Sequence, residues 1–206
     1  GFDRPLSIIG SLLFLTSFYI LAYAGLPFAD AIAYLFLITS IYAIFTDRDW
    51  LLLPIFAIGI FAKETIVLAL FIIFIQDKNI TQKIKKIVMC LPGIFAYLLV
   101  RMIVLPTSVG YNYTYERFLD TFKVYQNSFA PWVFAVINIL FVFGFIWIFA
   151  IKGFQIAWRS KRRAILDLAV IVPVVLLVPF IIGSDLGRIW FLGFPAIIPL
   201  SLLGIE

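Results

Sequence analysis

Apolar residues fill this chain in long runs separated by short charged turns. The runs cover residues 6–26, 28–45, 87–105, 131–151, 165–183 and 189–205. Each has the roughly 17–21 residues that a helix needs to cross a ~30 Å hydrocarbon core. None shows the polar alternation of a membrane strand. The pattern predicts an all-α protein: a polytopic transmembrane helical bundle of about seven membrane segments, forming one transmembrane domain over residues 1–206.

The stretch 50–75 departs from this pattern. It is apolar except for Lys63 and Glu64, within Ala62-Lys63-Glu64-Thr65. A charge at the centre of a membrane helix costs about 2.5–3.5 kcal/mol on insertion scales. The flanking pieces, 51–61 and 65–75, are each too short to span a bilayer. The two charges can neutralise each other inside a bundle, sit at the tip of a broken or re-entrant hairpin over 50–75, or line a substrate cavity. The last two readings are compatible and are taken together, because a hairpin carries the charges toward water or a cavity.

Composition sharpens the class. Apolar residues make up 64% of the chain and charged residues 13%, against about 25% charged in soluble domains. Histidine is absent, which excludes Ser-His-Asp chemistry, histidine zinc sites and histidine proton relays. No phosphate-binding or dinucleotide glycine motif occurs. The single cysteine, Cys90, cannot form an internal disulfide. The sequence identifies no cofactor and leaves a divalent metal open. The chain opens on Gly rather than Met, without a signal-peptide pattern, so it is expected to be the C-terminal part of a longer membrane protein.

Charge distribution gives an orientation. Lys78, Lys83, Lys85 and Lys86 crowd residues 76–86, and Lys152, Arg159, Lys161, Arg162 and Arg163 crowd residues 152–163. The positive-inside rule makes both segments cytoplasmic loops. With the hairpin in place, Asp30, Lys63, Glu64, Arg101, Asp185 and Arg188 all approach the outer face. Asp30 follows Gly25-Leu26-Pro27-Phe28-Ala29 and opens a helix, either as a first-turn acid stabilised by the helix dipole or as a functional acid at the boundary. Asp185 and Arg188 are three apart, either as a surface ion pair or as an anion site whose guanidinium suits a phosphate. Gly183 and Gly187 form a small-residue packing pattern. Arg101 either snorkels to the boundary or joins an outer cavity. Tyr111 and Tyr113, in the long loop 106–130, either belong to an interfacial belt or offer faces to a sugar ring. The basic cluster of residues 159–163 anchors topology and attracts anionic headgroups. Nucleic acid is not an expected partner.

Residues 20–75 and 183–204 together resemble the GT-C class of integral-membrane glycosyltransferases. The resemblance rests on the Gly25–Asp30 run and its apolar helix, the turn with Trp50, and Ala62-Lys63-Glu64-Thr65. A second part is Asp185-Leu186-Gly187-Arg188 with Phe194-Pro195-Ala196-Ile197-Ile198-Pro199-Leu200. It implies transfer of a sugar from a polyprenyl-phosphate donor to a glycan or protein acceptor on the outer face of the cell membrane. It implies an acid that activates the acceptor, Asp30 or Glu64, and substrate-binding residues among Lys63, Arg101, Asp185, Arg188, Tyr111 and Tyr113. It also implies a catalytic acid in an earlier outer loop, upstream of this chain. Two other classes stay open: a non-catalytic membrane subunit or scaffold, and a transporter or flippase of lipid-linked sugar. Membrane lipids, and other membrane-protein subunits, are the remaining expected partners.

Overall fold

A computed structural model describes residues 2–16, 30–76, 78–103, 115–182 and 190–206. Every regular element among them is helical. The chain divides into two compact units: a central one, Leu26–Tyr111, and a terminal one formed by Gly1–Gly25 with Asn112–Glu206.

The central unit contains α2 (Asp30–Phe45), α3 (Leu52–Ala62), α4 (Leu68–Ile75) and α5 (Ile80–Ile103); α1 precedes it in the chain. On α2, the buried residues Ala33, Tyr34, Leu37, Ser40, Ile41 and Ile44 repeat at helical spacing. The opposite face is also apolar, with Ile32, Leu35 and Ile38 exposed. α3 ends at Lys63, whose backbone is extended (φ −167°, ψ 138°), and a 3-10 turn over Glu64–Val67 leads into α4. The 11 residues of α3 rise about 16 Å. The chain then returns, because the residues following α4 lie back beside the turn that precedes α3, as the ion pairs below establish. α5 lies directly on α3: a Cβ on Gly93 would stand 2.6 Å from the Phe56 carbonyl.

The 24 residues of α5 rise about 36 Å. Its buried stripe is Lys86, Cys90 and Gly93, one helical face. The rest of its surface is apolar and exposed, including Ile84, Val88, Leu91, Phe95, Leu98 and Met102. Only 17% of its most apolar window is buried.

The terminal unit holds α1 (Arg4–Leu15), α6 (Tyr115–Asn127), α7 (Ala130–Phe143), α8 (Ile146–Arg159), α9 (Arg163–Ala169), α10 (Ile171–Ile182) and α11 (Phe194–Ile205). Its tightest seam joins α8 to α11, through Ala150, Gly153 and Ala157 on one side and Leu200 and Gly204 on the other. Ser201 donates a hydrogen bond across the seam to the Ile146 carbonyl at 3.1 Å. Phe14 docks α1 by packing at a tilt against Phe194, ring centroids 4.5 Å apart.

Several sequence expectations change here. Among the described residues, only Ile80–Ile103 is by itself long and apolar enough to cross a membrane. The expected span 131–151 is two helices bent by 81°. The break falls at Gly144, in a positive-φ conformation (φ 51°, ψ −133°) that side chains disfavour. The expected loops 76–86 and 152–163 are largely helical: Lys83, Lys85 and Lys86 lie within α5, and Lys152 and Arg159 within α8. The expected span 165–183 is interrupted at Val170. Pro173 then sits in the first turn of α10, where its missing N–H costs nothing. Of the expected last span, α11 covers Phe194–Ile205.

Candidate functional site

The central unit has charged groups at both ends and apolar helix between them. At its base, Asp47 takes a left-handed backbone (φ 54°) just after α2. Its two carboxylate oxygens accept from Lys78 and Lys86, each at 2.8 Å. Asp49 accepts from Lys85 at 3.1 Å, and its other oxygen lies 3.8 Å from Lys86. That second oxygen is buried and has no hydrogen-bond partner among the described residues.

Lys86 is the centre of this end. Its side chain is 2% exposed. Its ammonium also donates to the Ile44 carbonyl at 2.7 Å and to the Gln76 side-chain oxygen at 3.4 Å. A buried ammonium is tolerated only when paired and hydrogen-bonded, and this one links α2, the 46–49 turn, the end of α4 and α5. Hydrogen bonds from Lys78, and then from Lys86, hold the Asp47 carboxyl below the usual carboxylate range. The pairing also closes the hairpin: residues 47 and 49 before α3 meet residues 78–86 after α4. Sequence reasoning treated these lysines only as topology signals. The two acids of Thr46-Asp47-Arg48-Asp49, opposite a lysine-rich segment, were the available clue.

The other end carries four of the expected site residues. Lys63 and Glu64 form the hairpin tip, with Lys63 half-buried and Glu64 exposed. Just behind them, the Thr65 hydroxyl oxygen is buried without a hydrogen-bond partner among the described residues. Phe61 meets Tyr97 of α5 edge-on, ring centroids 6.0 Å apart, so the tip lies level with Tyr97. Arg101, one turn further, folds back and donates to the Tyr97 hydroxyl at 2.6 Å. Helical side chains lean toward the N-terminus, which favours this return. α2 begins at Asp30. With Phe36 packed against Gly59, that start lies at the tip end of the unit rather than at its base.

The structure therefore brings Lys63, Glu64, Arg101 and the Asp30 backbone to one end of the central unit. Tyr111, Tyr113, Asp185 and Arg188 lie outside the described residues, as do Gly183 and Gly187. No group of three or more metal-ligating Cys, Asp or Glu side chains occurs among the described residues. Cations and an acid at one end are the residue types that hold an anionic ligand and accept a proton. No protein family, curated protein or solved structure matches this chain.

Proposed function

We propose that the chain is the membrane-embedded part of a glycosyltransferase that moves a sugar from a polyprenyl-phosphate donor to an acceptor at the outer membrane face. The observation that carries this reading is the polar break in an apolar hairpin. Lys63 and Glu64 interrupt two helices too short to span a bilayer, at the end away from the lysine-rich base. Exposed apolar residues along α2, α3 and α5 support a lipid setting. In that setting α5 spans the bilayer, and the shorter apolar helices complete a polytopic bundle of about seven membrane segments. The hairpin enters from the cytoplasmic side and stops about 16 Å up, with its tip opening to a cavity from the outer face.

In the proposed reaction the acceptor oxygen attacks the anomeric carbon and forms the new glycosidic bond. The bond from that carbon to the donor phosphate oxygen breaks, and polyprenyl phosphate leaves. Glu64 or Asp30 takes the acceptor proton. Lys63 and Arg101, with Arg188 assigned from sequence, stabilise the charge that grows on the phosphate. Tyr111, Tyr113 and Asp185 are assigned, also from sequence, to holding acceptor and donor.

The test is sugar transfer from a polyprenyl-phosphate sugar by the full-length protein in detergent, with the melting temperature followed in parallel. Lys63→Met is expected to lower turnover by about 10²-fold or more, and Glu64→Gln by a similar factor if it is the base. Neither should move the melting temperature. Parental transfer by the double variant Lys63→Met, Glu64→Leu would overturn the reading.

A further inference from the structure

Six cations among the described residues face an acid. Lys78, Lys85 and Lys86 are held by Asp47 and Asp49. Arg162 faces Glu206 at 3.4 Å, and Arg163 faces the buried Asp167 at 3.1 Å. Lys123 faces Asp120 at 3.4 Å. The free face of α8 and the turn after it gather three cations without such a partner. Lys152, Arg159 and Lys161 are exposed, and no acid pairs with them among the described residues.

Their placement is ordered. Ala150, Gly153 and Ala157 bury one face of α8 against α11. Helical periodicity puts Lys152, Gln155 and Arg159 together on the opposite face. Earlier on that free side stand Ile148 and Ile151, 65% and 59% exposed. Trp158 is 68% exposed and packs beside Phe154, ring centroids 6.1 Å apart. Lys161 follows in a left-handed turn (φ 53°) that stops the helix. Along the free surface Ile148 and Ile151 come first, Lys152 follows them, and Trp158, Arg159 and Lys161 come last. Exposed apolar residues beside a tryptophan and cations suit a helix that passes from hydrocarbon through the interfacial layer to headgroups.

Resting on the membrane reading above, we propose that the free face of α8, from Lys152 to the turn at Lys161, is a binding site for anionic phospholipid headgroups. Lys152, Arg159 and Lys161 supply the charge, and Trp158 anchors the acyl boundary. Unpaired cations attract a negatively charged leaflet, while cations already neutralised by a fixed acid add little. The site lies on the terminal unit and takes part in no bond-making step. It would make the protein depend on the charge of its bilayer.

The experiment uses the full chain in mixed micelles, titrated with phosphatidylglycerol or with phosphatidylcholine, and counts bound lipid by native mass spectrometry. The parent is expected to prefer phosphatidylglycerol and to lose the preference in 0.5 M salt, about a 4 Å screening length. The triple variant Lys152→Gln, Arg159→Gln, Lys161→Gln should bind phosphatidylglycerol about tenfold more weakly or worse, with its melting temperature in phosphatidylcholine unchanged. The control variant Lys123→Gln, Arg162→Gln, which removes paired cations, should bind like the parent. Equal binding of the two lipids by the parent, undiminished binding by the triple variant, or an equal loss in the control would each overturn the proposal. The salt response of the parent decides the matter if the triple variant does not fold. Failure of the underlying membrane reading would appear separately, as a parent that stays soluble and monodisperse without detergent.

Discussion

Lys86→Met is expected to destabilise the protein by about 1–3 kcal/mol, the cost of leaving buried polar groups without their partner, since the Asp47 carboxylate is 52% exposed and can hydrate. Against the 5–15 kcal/mol of a typical fold that is a sizeable fraction, and it should appear as a lower melting temperature. The loss comes from what is left behind. Asp47 keeps only Lys78, the buried Asp49 oxygen loses its nearest cation, and the Ile44 carbonyl and Gln76 lose a donor. Lys85→Met is the contrast. Its side chain is 61% exposed, and exposed pairs are worth about 0–1 kcal/mol. Pairing Lys86→Met with Asp47→Asn should recover part of the loss, because it removes the unmatched charge and keeps a residue that tolerates the left-handed backbone. Acid should act in the same direction as Lys86→Met. The lowered Asp47 carboxyl contributes stability above the ordinary carboxylate value of about 4, and that contribution is lost as the pH falls through the lowered one. The acid loss should be smaller in Asp47→Asn. A Lys86→Met protein that melts like the parent would show that this contact does not hold the hairpin base.

The second large effect is expected at the seam between α8 and α11. A Cβ on Gly153 would overlap the Leu200 carbonyl oxygen, and one on Gly204 would overlap the Phe149 carbonyl oxygen. Both obstacles are backbone, so no rotamer change can relieve them, and the helices must move apart. Separation forfeits close-range dispersion along the whole seam and the Ser201 hydrogen bond to Ile146. Gly153→Ala should therefore cost at least the upper end of the ~1–3 kcal/mol seen for overpacking, and Gly153→Leu should prevent stable folding. Two other glycines set the scale. A Cβ on Gly10 meets only side-chain atoms, of Leu202 at 2.8 Å and Ile198 at 3.4 Å, which can turn aside. A Cβ on Gly144 meets nothing within 4 Å, so Gly144→Ala carries backbone strain alone, about 1–3 kcal/mol. Melting temperatures should rank Gly10→Ala above Gly153→Ala. The reverse order would mean that this seam is not the tight contact described.

Some of this was readable from the sequence, for reasons that lie in single residues. The break after Ala62 was legible because two adjacent charges inside 50–75 have no tolerable place within a continuous apolar helix. The base of the same hairpin was not. Lys86 was placed in a loop because its charge counts against an apolar helix. The acid that neutralises it is 39 residues away in the chain, where no local pattern reaches. Gly144 was hidden for the opposite reason. A lone glycine in the apolar run 131–151 hardly changes its hydropathy, yet its backbone turns the chain sharply. The seam at Gly153 and Gly204 is not legible in the sequence, because small residues signal packing only in pairs that the fold brings together, and these two lie 51 residues apart. At the tip, Arg101 could be assigned either to the boundary or to a cavity; its bond to Tyr97 fixes its direction, which spacing alone could not.

The central claim is that the hairpin base and the hairpin tip face opposite sides of a membrane. Glu64 at the tip and Arg48 at the base are both exposed, and the buried Cys90 can be replaced by alanine as background. Single cysteines at these two positions, treated in intact cells with a membrane-impermeant maleimide, give the most direct reading. The expected result is labelling of Glu64→Cys from outside and of Arg48→Cys only after the membrane is permeabilised. Labelling of both positions from the same side would contradict the re-entrant hairpin and, with it, the outer-face site.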